Sequence, residues 1–226
     1  MVMFLRLLVM SDIHDRIEKA LRILKREDFD AIIICGDFTY FRPLPKVIDY
    51  INSIRNSTSA PAYFVPGNCD PEELLELGFE DKKFYNIHRK VIKIRNIQVA
   101  GIGGGGISPF NTNIEFNEDE LTEIVDDIKR EIRANLPLIV VTHLPPHNTV
   151  DFVSPGKPIG SRAIRIFAEE AKPMAIFSGH VHESRGITRI GKTIVANPGP
   201  VMRGYYAVAN LENNRISIEL KALASK

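Results

Sequence analysis

The chain is poor in cysteine, with Cys35 and Cys69 alone. Two thiols cannot build a disulfide framework, and this points to a reducing, cytoplasmic setting. Charge of one sign is missing too: 29 Lys+Arg against 28 Asp+Glu leave a formal +1. So neutral a chain has no bulk field for nucleic acid or an anionic membrane, and any phosphate must be held by a local site. No apolar run is long enough to cross a bilayer. The N-terminal MVMFLRLLVM resembles a signal-peptide core, but Arg6 interrupts it and no small-residue cleavage site follows. It is read instead as a buried first strand. Asn56-Ser57-Thr58 fits a glycosylation acceptor, which means nothing without secretion. Glutamine is nearly absent, Gln98 being the single one; with abundant isoleucine and paired charges this is a thermophile-like composition.

What is present is ordinary for a globular protein: 226 residues, 44% hydrophobic and 25% charged, the size of one domain spanning 1–226. Strand and helix alternate in the first half. Phe4–Met10, Ala31–Cys35 and Ala62–Val65 read as strands buried on both faces. Ile17, Ala20, Leu21 and Leu24 mark one helix, with Asp15 and Glu18 as its expected capping box. Val47, Ile48, Ile51 and Ile54 mark a second. Lys90–Ile94 and Ile97–Ile102 read as a hairpin, and a glycine run, 103–106, follows. Leu121, Ile124, Val125, Ile128 and Ile132 define a long amphipathic helix. Leu138–Thr142 and Met174–Phe177 are expected strands, with a helix through Ile164, Phe167, Ala168 and Ala171 between them. Two hairpins close the chain, turning at Gly191-Lys192 and at Glu212-Asn213-Asn214. The expected fold class is α/β, with two sheets and helices packed outside.

Groups able to bind metal recur just past the ends of these strands. The first delivers Asp12-Ile13-His14, the second Gly36-Asp37, the third Gly67-Asn68-Cys69-Asp70. Leu138–Thr142 delivers His143, and Met174–Phe177 delivers Gly179-His180-Val181-His182. In open α/β sheets ligands gather at the carboxyl ends of strands, so five strands aim oxygen and imidazole at one region. Asp12 and Asp37 would repel each other there, and neutral histidines bring lone pairs but no cation. A metal resolves both difficulties. Carboxylate, imidazole and amide without obligatory thiolate suit Mn, Fe, Zn, Co or Ni better than Mg or Ca. Asp12, His14, Asp37, Asn68, His143, His180 and His182 outnumber the roughly four ligands of a structural zinc. They suit two ions roughly 3.5–4 Å apart, the arrangement that clamps an in-line displacement.

SDIH, GD, GNCD, THLPPH and GHVH, in that order, resemble the calcineurin-like metallophosphoesterases, from Ser11 to about Gly199. Asn197-Pro198-Gly199 after a hairpin, and GNCD where much of the family has His followed by Asp or Glu, are similar to its compact prokaryotic branch. The resemblance implies a four-layer sandwich, two mixed sheets face to face between helices. It implies that Asp12, His14 and His182 hold one metal, that Asn68, His143 and His180 hold the other, and that Asp37 bridges them. It also implies a metal-bridging hydroxide attacking phosphorus, with Asp37, Asn68 and His143 in the catalytic centre and manganese as the first-choice metal of the pair. Cys69 replaces the histidine usually assigned to the leaving group. A thiol, with an ordinary pKa of about 8.5, is a poor proton donor beside imidazole at neutral pH. The expected reaction is therefore phosphodiester hydrolysis with good leaving groups. Phosphomonoesterase, nucleotide pyrophosphohydrolase and a non-catalytic scaffold are the competing readings.

The remaining polar residues divide as follows. His147, beyond Pro145-Pro146, is a candidate for the missing proton donor or else a water-exposed loop histidine. Asp70 either orients Asn68 or His14 or caps the turn before Pro71. Asp15 is expected to be a helix cap and His88 a surface residue. Cys69 is expected to line the site passively and Cys35 to fill the core. The glycine run lacks the Lys-Ser/Thr of a P-loop and is expected to cover the cleft, with Ser108, Asn111 or Thr112 near substrate. A small phosphate ester is the expected partner, with no membrane, no nucleic acid and self-association left open.

Overall fold

The computed structural model describes residues 4–78, 83–154 and 156–224. In chain order its elements are β1 (Phe4–Met10), α1 (Ile17–Arg26), β2 (Ala31–Cys35), α2 (Leu44–Ser57), β3 (Ala62–Val65), β4 (Phe84–Asn86), β5 (Val91–Ile94) and β6 (Ile97–Ile102). The short β7 (Gly105–Gly106) and β8 (Glu115–Phe116), α3 (Glu118–Glu131), β9 (Leu138–Thr142), β10 (Phe152–Val153), β11 (Lys157–Pro158) and α4 (Arg162–Ala171) follow. The chain ends with β12 (Ala175–Phe177), β13 (Gly186–Ile190), β14 (Thr193–Asn197), β15 (Tyr205–Glu212) and β16 (Arg215–Ala222).

Two six-stranded mixed sheets result, ordered β16-β15-β1-β2-β3-β4 and β13-β14-β12-β9-β6-β5. In the first, β1 to β4 run parallel and β15 and β16 join antiparallel. In the second, β14, β12, β9 and β6 run parallel, with β13 and β5 antiparallel at the edges. Strand alternation explains the layering. Leu5, Leu7, Val9, Ile33 and Val65 turn inward and meet Val99, Ile139, Val141 and Phe177 between the sheets. Leu8, Met10, Ile32 and Ile34 turn outward onto Ala20, Ile23 and Leu24 of α1 and Val47, Ile51 and Ile54 of α2. The outer face of the second sheet packs on Leu121, Ile124, Val125 and Ile128 of α3 and Ile164 and Phe167 of α4. The fold is thus α/β, a four-layer sandwich. Burying each such aliphatic or aromatic side chain contributes about 1.5–3 kcal/mol, which is why the inner strands read as nearly continuous apolar runs.

Local details sharpen some expectations and overturn others. The last hairpin is tighter than expected: Glu212 pairs with Arg215, leaving Asn213-Asn214 alone in the turn. Both have positive φ, 48° and 61°, as a type I′ turn requires. α3 starts from a capping box, Asn117 accepting from Asp119 and Glu120 while Glu120 reaches back, and it stops one residue before Ile132.

Asp15 is not the cap of α1. It sits at φ 63°, Arg16 occupies the N-cap without a side-chain cap bond, and the Asp15 carboxylate accepts from Arg42 (3.2 Å) and Tyr50 (3.3 Å). His88 is not a surface residue. It is buried, stacks on Phe116 at 5.9 Å, and its Nδ1 accepts the Gly103 N–H at 2.9 Å. Burial holds its imidazole neutral, with its pKa pushed down to about 4. Ser108 and Thr112 turn their hydroxyls onto Glu115, at 2.6 and 2.7 Å, rather than toward a cleft. The glycine run does approach the strand-end loops: a Cβ on Gly105 would lie 2.9 Å from Asn68 Cβ.

Candidate metal centre

The parallel strands of both sheets end on one side, and their following loops carry the candidate ligands. Asp12, His14, Asp37 and His180 all take positive φ, between 43° and 66°. Such backbone costs about 1–3 kcal/mol per residue and persists where the surroundings over-determine it. The turns are packed tightly enough to do so. Gly36 has φ +86°, and a Cβ there would meet the Gly67 backbone at 2.6 Å and His143 Nδ1 at 2.7 Å.

The side chains converge in two sets. Asp12, His14 and His182 offer one ligand atom each within 4.8 Å of one another. His14 Nε2 lies 3.1 Å from His182 Nε2, and His182 Nε2 lies 3.2 Å from Asp12 Oδ1. In the second set, Asn68 Oδ1 lies 2.8 Å from both His143 Nε2 and His180 Nδ1. Asp37 joins the sets, its Oδ2 3.4 Å from His14 Nε2 and 3.4 Å from His143 Nε2. Its other oxygen accepts the Cys69 N–H at 2.8 Å. All seven residues are buried or half-buried.

The electrostatics are those of a cation site. Burial raises the carboxylates' pKa, but the His182 hydrogen bond and neighbouring imidazoles bring Asp12 below the usual range. For Asp37 burial is likewise outweighed, first by the charge of His143, and the group stays ionised. Burial pulls His143 down, yet Asp37 carries it up to about 9. That value agrees with its contacts: Nδ1 faces the Cys35 carbonyl at 2.6 Å and Nε2 faces Asn68 and Asp37, so both nitrogens donate. Burial and repulsion from His143 lower His180 to about 4. Among the described residues the ion-pair partners of Asp12 and Asp37 are imidazoles, with no lysine or arginine. His14 Nδ1 is buried with no hydrogen-bond partner among the described residues. Oxygen and imidazole atoms crowded together, with no lysine or arginine paired to the two carboxylates among the described residues, fit divalent metal ions.

The other candidates lie around this cluster. His147 Nδ1 is 3.3 Å from the Gly160 carbonyl and 3.8 Å from Asp151, with 23% of its side chain exposed. The contacts found for it are to its own loop and to Arg165 of α4, not to the seven ligand candidates. Asp70 is fully buried and accepts from the Thr39 N–H (3.2 Å) and the Gly67 N–H (2.9 Å), not from Asn68 or His14. It therefore ties the β2 and β3 loops together, and burial and the Asp37 charge raise it to about 7. Cys69 is a buried free thiol, its pKa pushed far up by burial and by Asp37. Its Sγ lies 3.6 Å from Asn68 Nδ2, and with His14 and Asp37 it forms a third close group. Sequence reasoning missed Tyr40, whose ring stands edge-on to His14 at 5.5 Å. The available signal was an aromatic pair shortly after Gly36-Asp37.

A mixed-sheet sandwich with histidines and carboxylates at its strand ends is the architecture of a metal-dependent phosphoesterase. The comparisons agree: residues 5–184 match the model of the calcineurin-like phosphoesterase family, and the chain belongs to that family. It is 36% identical over 220 residues to the uncharacterized protein MJ1162 of Methanocaldococcus jannaschii, covering 94% of this chain and 95% of that one. The TT1561 structure from Thermus thermophilus superimposes with a TM-score of 0.69 at 16% identity, over 96% of this chain and 99% of that one. A dimetal phosphatase from Danio rerio does so with a TM-score of 0.67 at 12% identity, over 96% of each chain. These two likenesses concern the fold. Among the described residues no helix is long and apolar enough to cross a membrane.

Proposed function

We propose that the chain is a cytoplasmic phosphodiesterase working at a dinuclear metal centre, with manganese the preferred ion. The observation that carries this reading is that one oxygen of Asp37, Oδ2, stands 3.4 Å from a histidine of each set. Asp12, His14 and His182 would hold one ion, Asn68, His143 and His180 the other, and Asp37 both. Such a pair, when bound, supplies a nucleophile from water near neutral pH and polarises the phosphoryl oxygens. Asp37 and Asn68 present fixed oxygens at the centre of the site. His143 donates Nδ1–H to the Cys35 carbonyl, which fixes the ring and directs Nε2 inward.

Cys69 is held as a neutral thiol and is a poor source of a proton for the departing ester oxygen. His147 takes that role in this reading, its Nδ1 turned to Gly160 and Asp151 so that Nε2 is left for substrate. The substrate is a small phosphate ester whose leaving group needs little help. The test is turnover of bis(p-nitrophenyl) phosphate and p-nitrophenyl phosphate by manganese-loaded protein. Faster diester hydrolysis is expected. Faster monoester hydrolysis moves the reading to a phosphomonoesterase, and no turnover with two ions bound moves it to a scaffold. In the same assay His147→Ala should lose about 10²-fold on a diester with an alkyl leaving group and little on the nitrophenyl ester.

A further inference from the structure

Tyr40 and Phe41 are large apolar residues left open beside a buried polar cluster. Tyr40 is 60% exposed and Phe41 43%. Their rings touch edge to face at 4.9 Å, and the Tyr40 ring meets His14 at 5.5 Å. The pair is held in place. On one side the Thr39 N–H donates to the buried Asp70 carboxylate at 3.2 Å. On the other the Phe41 N–H donates to the Cys69 carbonyl at 3.2 Å. Phe41 itself takes φ 55°, a conformation that bulky residues rarely adopt. The fold therefore carries both the strain of that backbone and the exposure of two rings to keep an aromatic face beside His14.

Resting on the phosphodiesterase reading above, we infer that Tyr40, supported by Phe41, is a stacking shelf selecting esters whose phosphate carries a planar aromatic ring. A phosphate held at the ligand cluster would lie close to His14, whose ring Tyr40 meets at 5.5 Å. An exposed, anchored ring loses little freedom on binding and stacks on any flat π-system, whether a nucleobase or a simple aryl group. Tyr40 thus acts in specificity rather than in bond breaking.

The experiment is calorimetric titration of the full-length, manganese-loaded protein with two pairs of probes. Phenylphosphonate is compared with methylphosphonate, and adenosine 5′-monophosphate with ribose 5-phosphate. Wild type is expected to bind the ring-bearing member about tenfold more tightly. Tyr40→Ala should collapse that ratio to about one while methylphosphonate binding holds, and Tyr40→Phe should retain it. A preference in both pairs assigns the shelf to any planar ring, and one in the adenosine pair alone assigns it to nucleobases. A wild-type ratio of about one, or a ratio that Tyr40→Ala leaves intact, overturns the shelf. Turnover of the nitrophenyl esters is measured separately. Its absence defeats the hydrolase reading, while the binding ratios still decide the shelf.

Discussion

The two sets of candidate ligands on either side of Asp37 are built differently. In the Asn68 set, His143 is fully buried, its outer nitrogen is tied to the Cys35 carbonyl at 2.6 Å, and one amide oxygen faces two imidazoles at 2.8 Å. In the Asp12 set, His182 keeps a quarter of its side chain in solvent and His14 Nδ1 has no hydrogen-bond partner among the described residues. A ligand fixed from behind keeps its orientation when the ion leaves, whereas a loosely held one must be reordered. The Asn68 set is thus expected to bind the first ion tightly, and the Asp12 set to bind the second more weakly.

The substitution that breaks both sets at once should have the largest effect. Asp37→Asn removes the shared charge and is expected to lower kcat/KM by about 10³-fold or more, with near-unchanged far-UV circular dichroism. Activity within about threefold of wild type would show that the two sets do not depend on Asp37. Gly36→Ala falls mainly on the Asn68 set, although Gly36 adjoins Asp37 and its carbonyl accepts the Asp12 N–H at 3.0 Å. Its Cβ would press on Gly67 and on His143 Nδ1, so the tight ion should weaken by about 10–100-fold, more than the weaker step does. Equal weakening of both steps in a metal titration would erase the distinction between the sets.

The smallest effect concerns protons. In the metal-free chain Asp37 keeps His143 protonated up to about 9, and a cation can enter only as that proton leaves. Affinity at the tight step should therefore fall about tenfold for each unit that pH drops below about 9. Titrations at several pH values, with proton release read in parallel, measure this slope. A flat profile would mean that His143 is already neutral before the ion arrives.

Much of the fold was legible because β2, β3 and β9 are buried on both faces and β1 nearly so, and such burial writes itself as an apolar run, broken in β1 by Arg6. What escaped was short or non-local. β4 has three residues, and β7, β8, β10 and β11 have two each, too few to show any period. His88 looked like a surface residue because its burial comes from Phe116 and Gly103, distant in sequence. Asp15 looked like a cap because Glu18 follows it at the right spacing, yet its carboxylate is taken by Arg42 and Tyr50. The ligand candidates stood out because each follows a strand end. Their division into a fixed and a loose set did not, since it depends on a backbone carbonyl and an unpartnered ring nitrogen, neither of which has a sequence signature.

The register between β1 and β15 sets the order in which the molecule can be completed. Phe4 lies opposite Glu212, and the pairing continues to Val9 opposite Ala207. One edge of β1 thus waits for β15, which is translated long after it. Loop closure over so long a separation is slow. Meanwhile the newborn chain carries an unpaired hydrophobic edge, the kind of surface that chaperones exist to shield.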